Sequence, residues 1–229
     1  LGVGVNLGFV GLHYWVADAY PRPHVAASVV LAGFTTKVAV YVLIRLIPEG
    51  NALVAWMGGA MILYAVWQAI LQTDARRLLS YHIVSQVGYM VAGVGIGTTA
   101  GTAGAVAHLS THVLYKGLLF MVAGALLYRT GTESLKKLGG LGRRMPVTFA
   151  AFLIAALAIT GVPGFSGFVS KGLVTKAVES AAPELLWWAL VLGGVGTVLS
   201  FAKFGYYAFV RPAPEGADIE VRPAPRPLT

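Results

Sequence analysis

Residues 104–124 read GAVAHLSTHVLYKGLLFMVAG, and they set His108, His112 and Lys116 into an otherwise apolar segment. The spacing is i, i+4, i+8, so on a helix the three side chains climb one face, drifting about 40° around the axis at each step. The segment is long enough to cross a bilayer, where a cation at depth costs about 2.5–3.5 kcal/mol even on the mildest insertion scale. A lone buried histidine is ordinarily a satisfied hydrogen-bonding group, and a lone lysine near a helix end snorkels to the headgroups. Three such residues on one stripe, with Lys116 in mid-segment, point instead to a buried, hydrated path.

The rest of the chain agrees with a membrane setting. Of 229 residues, 57% are hydrophobic and 11% charged, which is too apolar for a soluble domain of this length. Apolar runs recur at 25–47, 52–71, 78–96, 102–128, 147–159 and 185–210. They lack strict alternation, so helices rather than a lipid-exposed β-barrel must satisfy the backbone. The expected fold class is all-α, a polytopic transmembrane helix bundle over residues 1–210, followed by a polar, proline-rich cytoplasmic loop or tail at 211–229. Leu1 is not an initiator and residues 1–12 read as the end of a spanning helix, so the chain reads as a fragment. The absence of cysteine excludes disulfides, thiolate metal sites and a cysteine nucleophile.

A formal charge of +8 raises nucleic acid as a partner, but its distribution is topological. If the spans alternate, one side receives Arg22, Arg76, Arg77, Arg129, Lys136, Lys137, Arg143, Arg144, Arg211, Arg222 and Arg226, and the other only Arg45 and Lys176. By the positive-inside rule the first side is cytoplasmic, in a prokaryotic-type inner (plasma) membrane. No nucleic-acid partner is expected, and the lipid bilayer is.

Along the chain, Gly8 and Gly11 loosen the first helix, Tyr14, Trp15 and Tyr20 suit an interfacial belt, and His13 is undecided. Lys37 lies too deep in its span to snorkel and needs a partner or water. Span 52–71 has no ionisable residue and reads as a lipid-facing or packing helix, with Gly58 and Gly59 permitting close approach. The stretch LLSYHIVSQVGYM (78–90) carries Ser80, His82, Ser85, Gln86 and Tyr89 into the membrane, with His82, Ser85 and Tyr89 on one face. In 129–144 the lysines and arginines read as topology signals, not as a binding patch. Gly161, Pro163, Gly164 and Gly167 cannot sit in an undisturbed helix, so a broken transmembrane helix is expected there, with Lys171 one or two turns beyond the break. Such breaks survive at membrane depth only when buried in protein or lining water. Trp187 and Trp188 lie at the outer end of the last span and Lys203 toward its other end, where it reads as structural.

The series LHYWVADAYPRP, LAGFTTKVAVYVLIR, DARRLLSYHIVSQVGYM, HLSTHVLYKGLLF and GVPGFSGFVSK resembles, in order and spacing, the second half of the antiporter-like proton-conducting subunits shared by respiratory complex I and Mrp-type monovalent cation/proton antiporters. Within that family it is most similar to the antiporters' D-type subunits. The resemblance implies the C-terminal half of a fold with inverted five-helix repeats and broken helices. It also implies a proton relay of Lys37, His82, His108, His112, Lys116 and Lys171, with Lys171 as the terminal carrier or exit gate. Where the family usually has a helix-seven lysine this chain has Asn6, which hydrogen-bonds but carries no titrating charge. Gly11 replaces the usual proline before His13 and leaves the sharpness of that break open.

The implied activity is proton translocation in a multisubunit Na⁺/H⁺ antiporter, with protons and a monovalent cation as cargo and other membrane subunits as partners. A first alternative is the same module in a complex I-like NADH:quinone oxidoreductase or membrane hydrogenase. A second is a structural subunit with an impaired relay. Nothing in these residues is read as a catalytic, metal or cofactor site, and no cofactor is expected.

Overall fold

The computed structural model describes residues 1–214 and 221–223. Its helices are α1 Gly2–Leu7, α2 Tyr14–Ala19, α3 Val25–Leu46, α4 Ala52–Leu71, α5 Ala75–Gly95, α6 Thr99–Thr130, α7 Leu141–Arg144, α8 Pro146–Thr160, α9 Ser166–Ala181 and α10 Glu184–Gly205, the last continuing as a π-helical turn, Tyr206–Val210. Among the described residues there is no strand, only an isolated bridge between Asp74 and Ser134. The protein is an all-α, multi-pass membrane bundle. Among the described residues four elements are long and apolar enough to cross a bilayer: α3, α4, α6 and α10 with its π-helical extension.

The helix ends follow local capping chemistry. Side chains of His24, Asn51, Asp74 and Thr98 each accept a backbone N–H at the start of α3, α4, α5 and α6. Asp74 starts α5 three residues before the apolar run begins at Leu78, and Thr98 likewise starts α6 before Thr102. At 1.5 Å per residue α6 is about 48 Å long, well over the roughly 30 Å hydrocarbon core.

The centre of the bundle is α5. It is buried along nearly its whole length, whereas α3, α4, α6 and α10 each turn one apolar face outward through residues such as Phe34, Trp67, Leu114 and Val195. Protein rather than lipid surrounds α5, which is why it carries so many polar side chains. On one side α4 seals against it: a Cβ at Gly58 would stand 2.5 Å from Ala92 N, and one at Gly88 2.7 Å from Gly58 O, so the two backbones touch. This is the packing role expected for 52–71.

Two helices are broken in the same way. In the first, α1 stops at Leu7 and α2 begins at Tyr14, with Gly8 and Gly11 at φ 78° and 90°. In the second, α8 and α9 flank Gly161 and Gly164, at φ 82° and 92°. Glycine is the residue that reaches this left-handed region without strain. The first break falls at the glycines expected to loosen residues 1–12, and shows that Gly11 gives a full break without proline. It also revises the aromatic belt. Tyr14 is exposed, but Tyr20 is completely buried, and the Trp15 indole donates to Val5 O at 2.7 Å, tying the two half-helices together. The second break matches the expectation at Pro163, Gly164 and Gly167. Gly167 contributes closeness, since a Cβ there would overlap Ala158 O.

The end of the bundle that carries the basic loops is laced together. Buried Arg76 forms a two-bonded ion pair with Glu133 through its Nε and Nη2, and donates from Nη1 to Pro23 O at 2.9 Å. Arg211 donates to the carbonyls of Leu135 and Leu138 at 3.0 and 2.9 Å, and Arg222 exchanges backbone and side-chain bonds with Arg129. These arginines are therefore structural clamps as well as charges. Residues 215–220 and 224–229 of the expected tail lie outside the described residues.

Candidate functional site: a buried lysine and histidine row

Three glycines bring the site together. A Cβ at Gly93 would stand 2.8 Å from Gly101 O, and one at Gly104 2.9 Å from Val174 N, so α5, α6 and α9 converge one turn before His108. From that junction the stripe on α6 points inward: His108, His112 and Lys116 are all 0% exposed. The side chains around it come from α3, α5, α9 and α10.

On α3, Lys37 is buried and donates from Nζ to Ala32 O at 2.5 Å and to the Thr36 hydroxyl at 3.2 Å. That supplies the partner its depth requires. On α5, His82 Nε2 shares a hydrogen bond with the Ser200 hydroxyl of α10. On α9, Ser170 is the junction: its hydroxyl is 3.0 Å from His108 Nδ1 and 3.0 Å from the Thr111 hydroxyl. Tyr115 OH lies 3.4 Å from His108 Nε2, and the His108 and His112 rings are 6.2 Å apart, centre to centre.

Lys171 sits at the second break. Its Nζ donates to Ile159 O at 2.7 Å, in the last turn of α8, and lies 4.9 Å from the centre of the Tyr89 ring. The free carbonyls and the negative dipole end of the half-helix hold the amine there. Lys203 does the same for α4, donating to Ile70 O and Gln72 O at 2.6 Å each, which is the structural role expected of it.

The members of the row lie close enough to feel one another's charges. His112 interacts with the charges of Lys37, Lys116 and Lys171, and Lys116 with those of Lys37 and Lys171. His82 interacts with Lys116 and Lys171. No carboxylate among the described residues pairs with any of these lysines. The Nζ of Lys116 and both ring nitrogens of His112 have no protein hydrogen-bond partner. Buried polar atoms in that state are ordinarily satisfied by internal water.

Thus Lys37, His82, His108, His112, Lys116 and Lys171 come together. Asn6 is half-buried in α1, and none of these bonds includes it. Sequence reasoning missed Ser170, Ser200 and Tyr115, the partners of the histidines. Ser170 adjoins Lys171 and Tyr115 adjoins Lys116, but Ser200 had no local signal, because only the packing of α10 against α5 aims it at His82.

Comparison with known proteins gives the same grouping. Residues 1–200 match the family described as NADH:quinone oxidoreductase/Mrp antiporter, transmembrane. The chain is 35% identical over 210 residues to the D-type subunit of the Na⁺/H⁺ antiporter of Alkalihalophilus pseudofirmus, covering 88% of this chain and 43% of that protein. It is 32% identical over 234 residues to the N-type subunit of the NADH-quinone oxidoreductase of Desulforudis audaxviator, covering 98% and 47%. Its fold superposes on a chain of the Mrp complex from Dietzia sp. with a TM-score of 0.86, at 30% identity over 94% of this chain and 42% of that one. The chain therefore spans less than half the length of each of these proteins. With a family match over most of its residues and the fold to go with it, this chain belongs to the transmembrane subunit family shared by NADH:quinone oxidoreductases and Mrp antiporters.

Proposed function

We propose that this chain is part of the proton-translocating membrane subunit of a multisubunit Na⁺/H⁺ antiporter, and that Lys37, His82, His108, His112, Lys116 and Lys171 form its proton relay with the help of internal water. The observation that carries this reading is Lys116: a fully buried amine without a protein hydrogen-bond partner, in contact with the electric fields of two more buried lysines. Lys203, by contrast, is only half-buried and is held by two carbonyls at the end of α4. Three amines of like charge in a medium of low dielectric repel one another, so loading one favours unloading its neighbour. The histidines bridge the amines because an imidazole takes a proton at one nitrogen and releases it from the other. Lys171, at the broken helix, is the carrier at the exit. The basic loops face the cytoplasm, the membrane is the prokaryotic plasma membrane, residues 1–210 form the transmembrane domain, and the partners are the other subunits of the assembly.

The test uses the whole complex in vesicles, reading Na⁺-dependent pH change with subunit levels checked by immunoblot. Lys171→Arg keeps the charge but cannot release its proton, and Lys171→Gln cannot hold one. Both are expected to abolish exchange while the subunit stays assembled. Normal exchange in an assembled Lys171→Gln complex would remove Lys171 from the path. A second reading, a proton-pumping subunit of a complex I-like oxidoreductase, is favoured by the 98% coverage against an NADH-quinone oxidoreductase subunit. It predicts proton movement on addition of an electron donor and none on a Na⁺ pulse alone. Asn6 keeps a third reading, an impaired relay, in view, and a complex that moves no protons under either condition would select it.

A further inference from the structure

On the central helix Gln86 is a fully buried polar side chain outside the lysine and histidine row. Gln86 is 0% exposed, and neither its Oε1 nor its Nε2 has a hydrogen-bond partner in the protein; nor has Ser85 Oγ beside it. Leaving a buried polar group unsatisfied costs about 1–3 kcal/mol, whereas an apolar residue of the same shape avoids that cost. A glutamine at this position is therefore expensive for packing alone.

Helix geometry places it. Gly93 faces α6, since a Cβ there would lie 2.8 Å from Gly101 O and 3.5 Å from Ala105 Cβ. Gln86 precedes Gly93 by seven residues, close to two turns, and so lies on the same face of α5. The short connection between α5 and α6 makes the two helices antiparallel neighbours. Moving seven residues back along α5 from Gly93 therefore moves seven residues forward along α6, from the level of Gly101 and Ala105 to that of His108 and His112. His82 lies one turn further on, toward Lys116, which agrees with the electrostatic interaction between those two.

We infer that Gln86 is a positioning residue for proton movement, holding and orienting the water that joins His112 and Lys116 on α6 to His82 on α5. This rests on the relay reading above. The amide neither gains nor loses a proton. Its Nε2 donates to one water oxygen and its Oε1 accepts from another water. A proton arriving on one water forms an O–H bond there, and a different O–H bond breaks on the far side as the proton passes to the next nitrogen. The amide ends as it began, and no oxidant or other reactant is needed.

Crossed substitutions separate this role from packing. Gln86→Met keeps length and shape but removes both polar atoms. Gln86→Asn keeps the amide and leaves room for one more water. If Gln86 orders water, the Met variant is expected to lower Na⁺-dependent proton flux per assembled complex about tenfold or more, and the Asn variant to retain most of it. A packing role predicts the reverse order, and that result overturns the inference. Lys116→Met is measured alongside. Loss of flux there with full flux in Gln86→Met would overturn the role of Gln86 and leave the relay standing. Full flux in both would overturn the two together. Should Gln86→Met fail to assemble, Gln86→Ser decides: retained flux supports a water-ordering role, and lost flux in an assembled complex refutes it.

Discussion

Replacing Lys116 and Lys171 with methionine should move stability in opposite directions while stopping transport in both cases. Methionine is unbranched and close to lysine in length, so either change largely preserves packing. Lys116 Nζ is fully buried with no protein partner, and such a group costs about 1–3 kcal/mol, more if it is charged. Lys116→Met removes that cost together with whatever internal water returns, leaving a net gain of about 1 kcal/mol. Lys171 Nζ instead satisfies Ile159 O at 2.7 Å on the end of a broken helix. Lys171→Met strands that carbonyl in apolar surroundings and should cost about 1–3 kcal/mol. At about 2–4 °C per kcal/mol for a chain of this size, the Lys116 variant should melt a few degrees above the native protein and the Lys171 variant a few degrees below it. The assay is thermal unfolding of the detergent-purified complex, followed by the loss of native assembly, with proton flux measured on the same preparations. A Lys116→Met complex that melts lower than Lys171→Met, or that transports normally, would refute the argument that Lys116 is kept for transport at the expense of stability.

Two further outcomes are expected. Gly167→Ala drives a Cβ into Ala158 O, a clash with backbone that no side-chain rotation relieves, so the α8 to α9 crossing should open and the subunit should fail to accumulate on immunoblot. Arg76→Ala should destabilise by about 3–5 kcal/mol because it leaves Glu133 without its partner in a mostly buried setting; the double variant with Glu133→Ala should recover part of that loss, and additive effects in the melting cycle would show that the pair does not interact.

Much of the site is legible in the sequence because membranes make polar residues conspicuous. His108, His112 and Lys116 stand out by their spacing, Lys37 by its depth and Lys171 by its place after a run of Gly and Pro. Each of those signals is local, and the structure places each residue inside the bundle. The arginines are harder. Arg76 and Arg211 read as markers of one membrane side, yet each ties distant segments together through bonds spanning 57 and 73 residues of chain. No local pattern announces such pairings. The first helix break is half legible for a different reason: Gly8 and Gly11 mark where the helix loosens, but without a proline its sharpness is settled only by their positive φ values, and backbone angles are not written in a sequence. Tyr20 misleads because an aromatic beside prolines at a span boundary fits the headgroup belt equally well, and only the fold turns it inward.

The glycine seam between α4 and α5 also acts as an insulator. Gly58 and Gly88 press backbone against backbone, and Gly95 does the same against Ala55, so along that line there is no width for a file of water molecules. A proton conductor needs walls as much as wires: any thread of water reaching the far face of α4 would short-circuit the ion gradient. Because one flank of α5 is closed in this way, the relay proposed above has only the flank that meets α3, α6, α9 and α10. A single Gly58→Leu change should therefore do more than perturb packing. By prising the two helices apart it would open a leak, and the membrane would lose its pH gradient with no Na⁺ present at all.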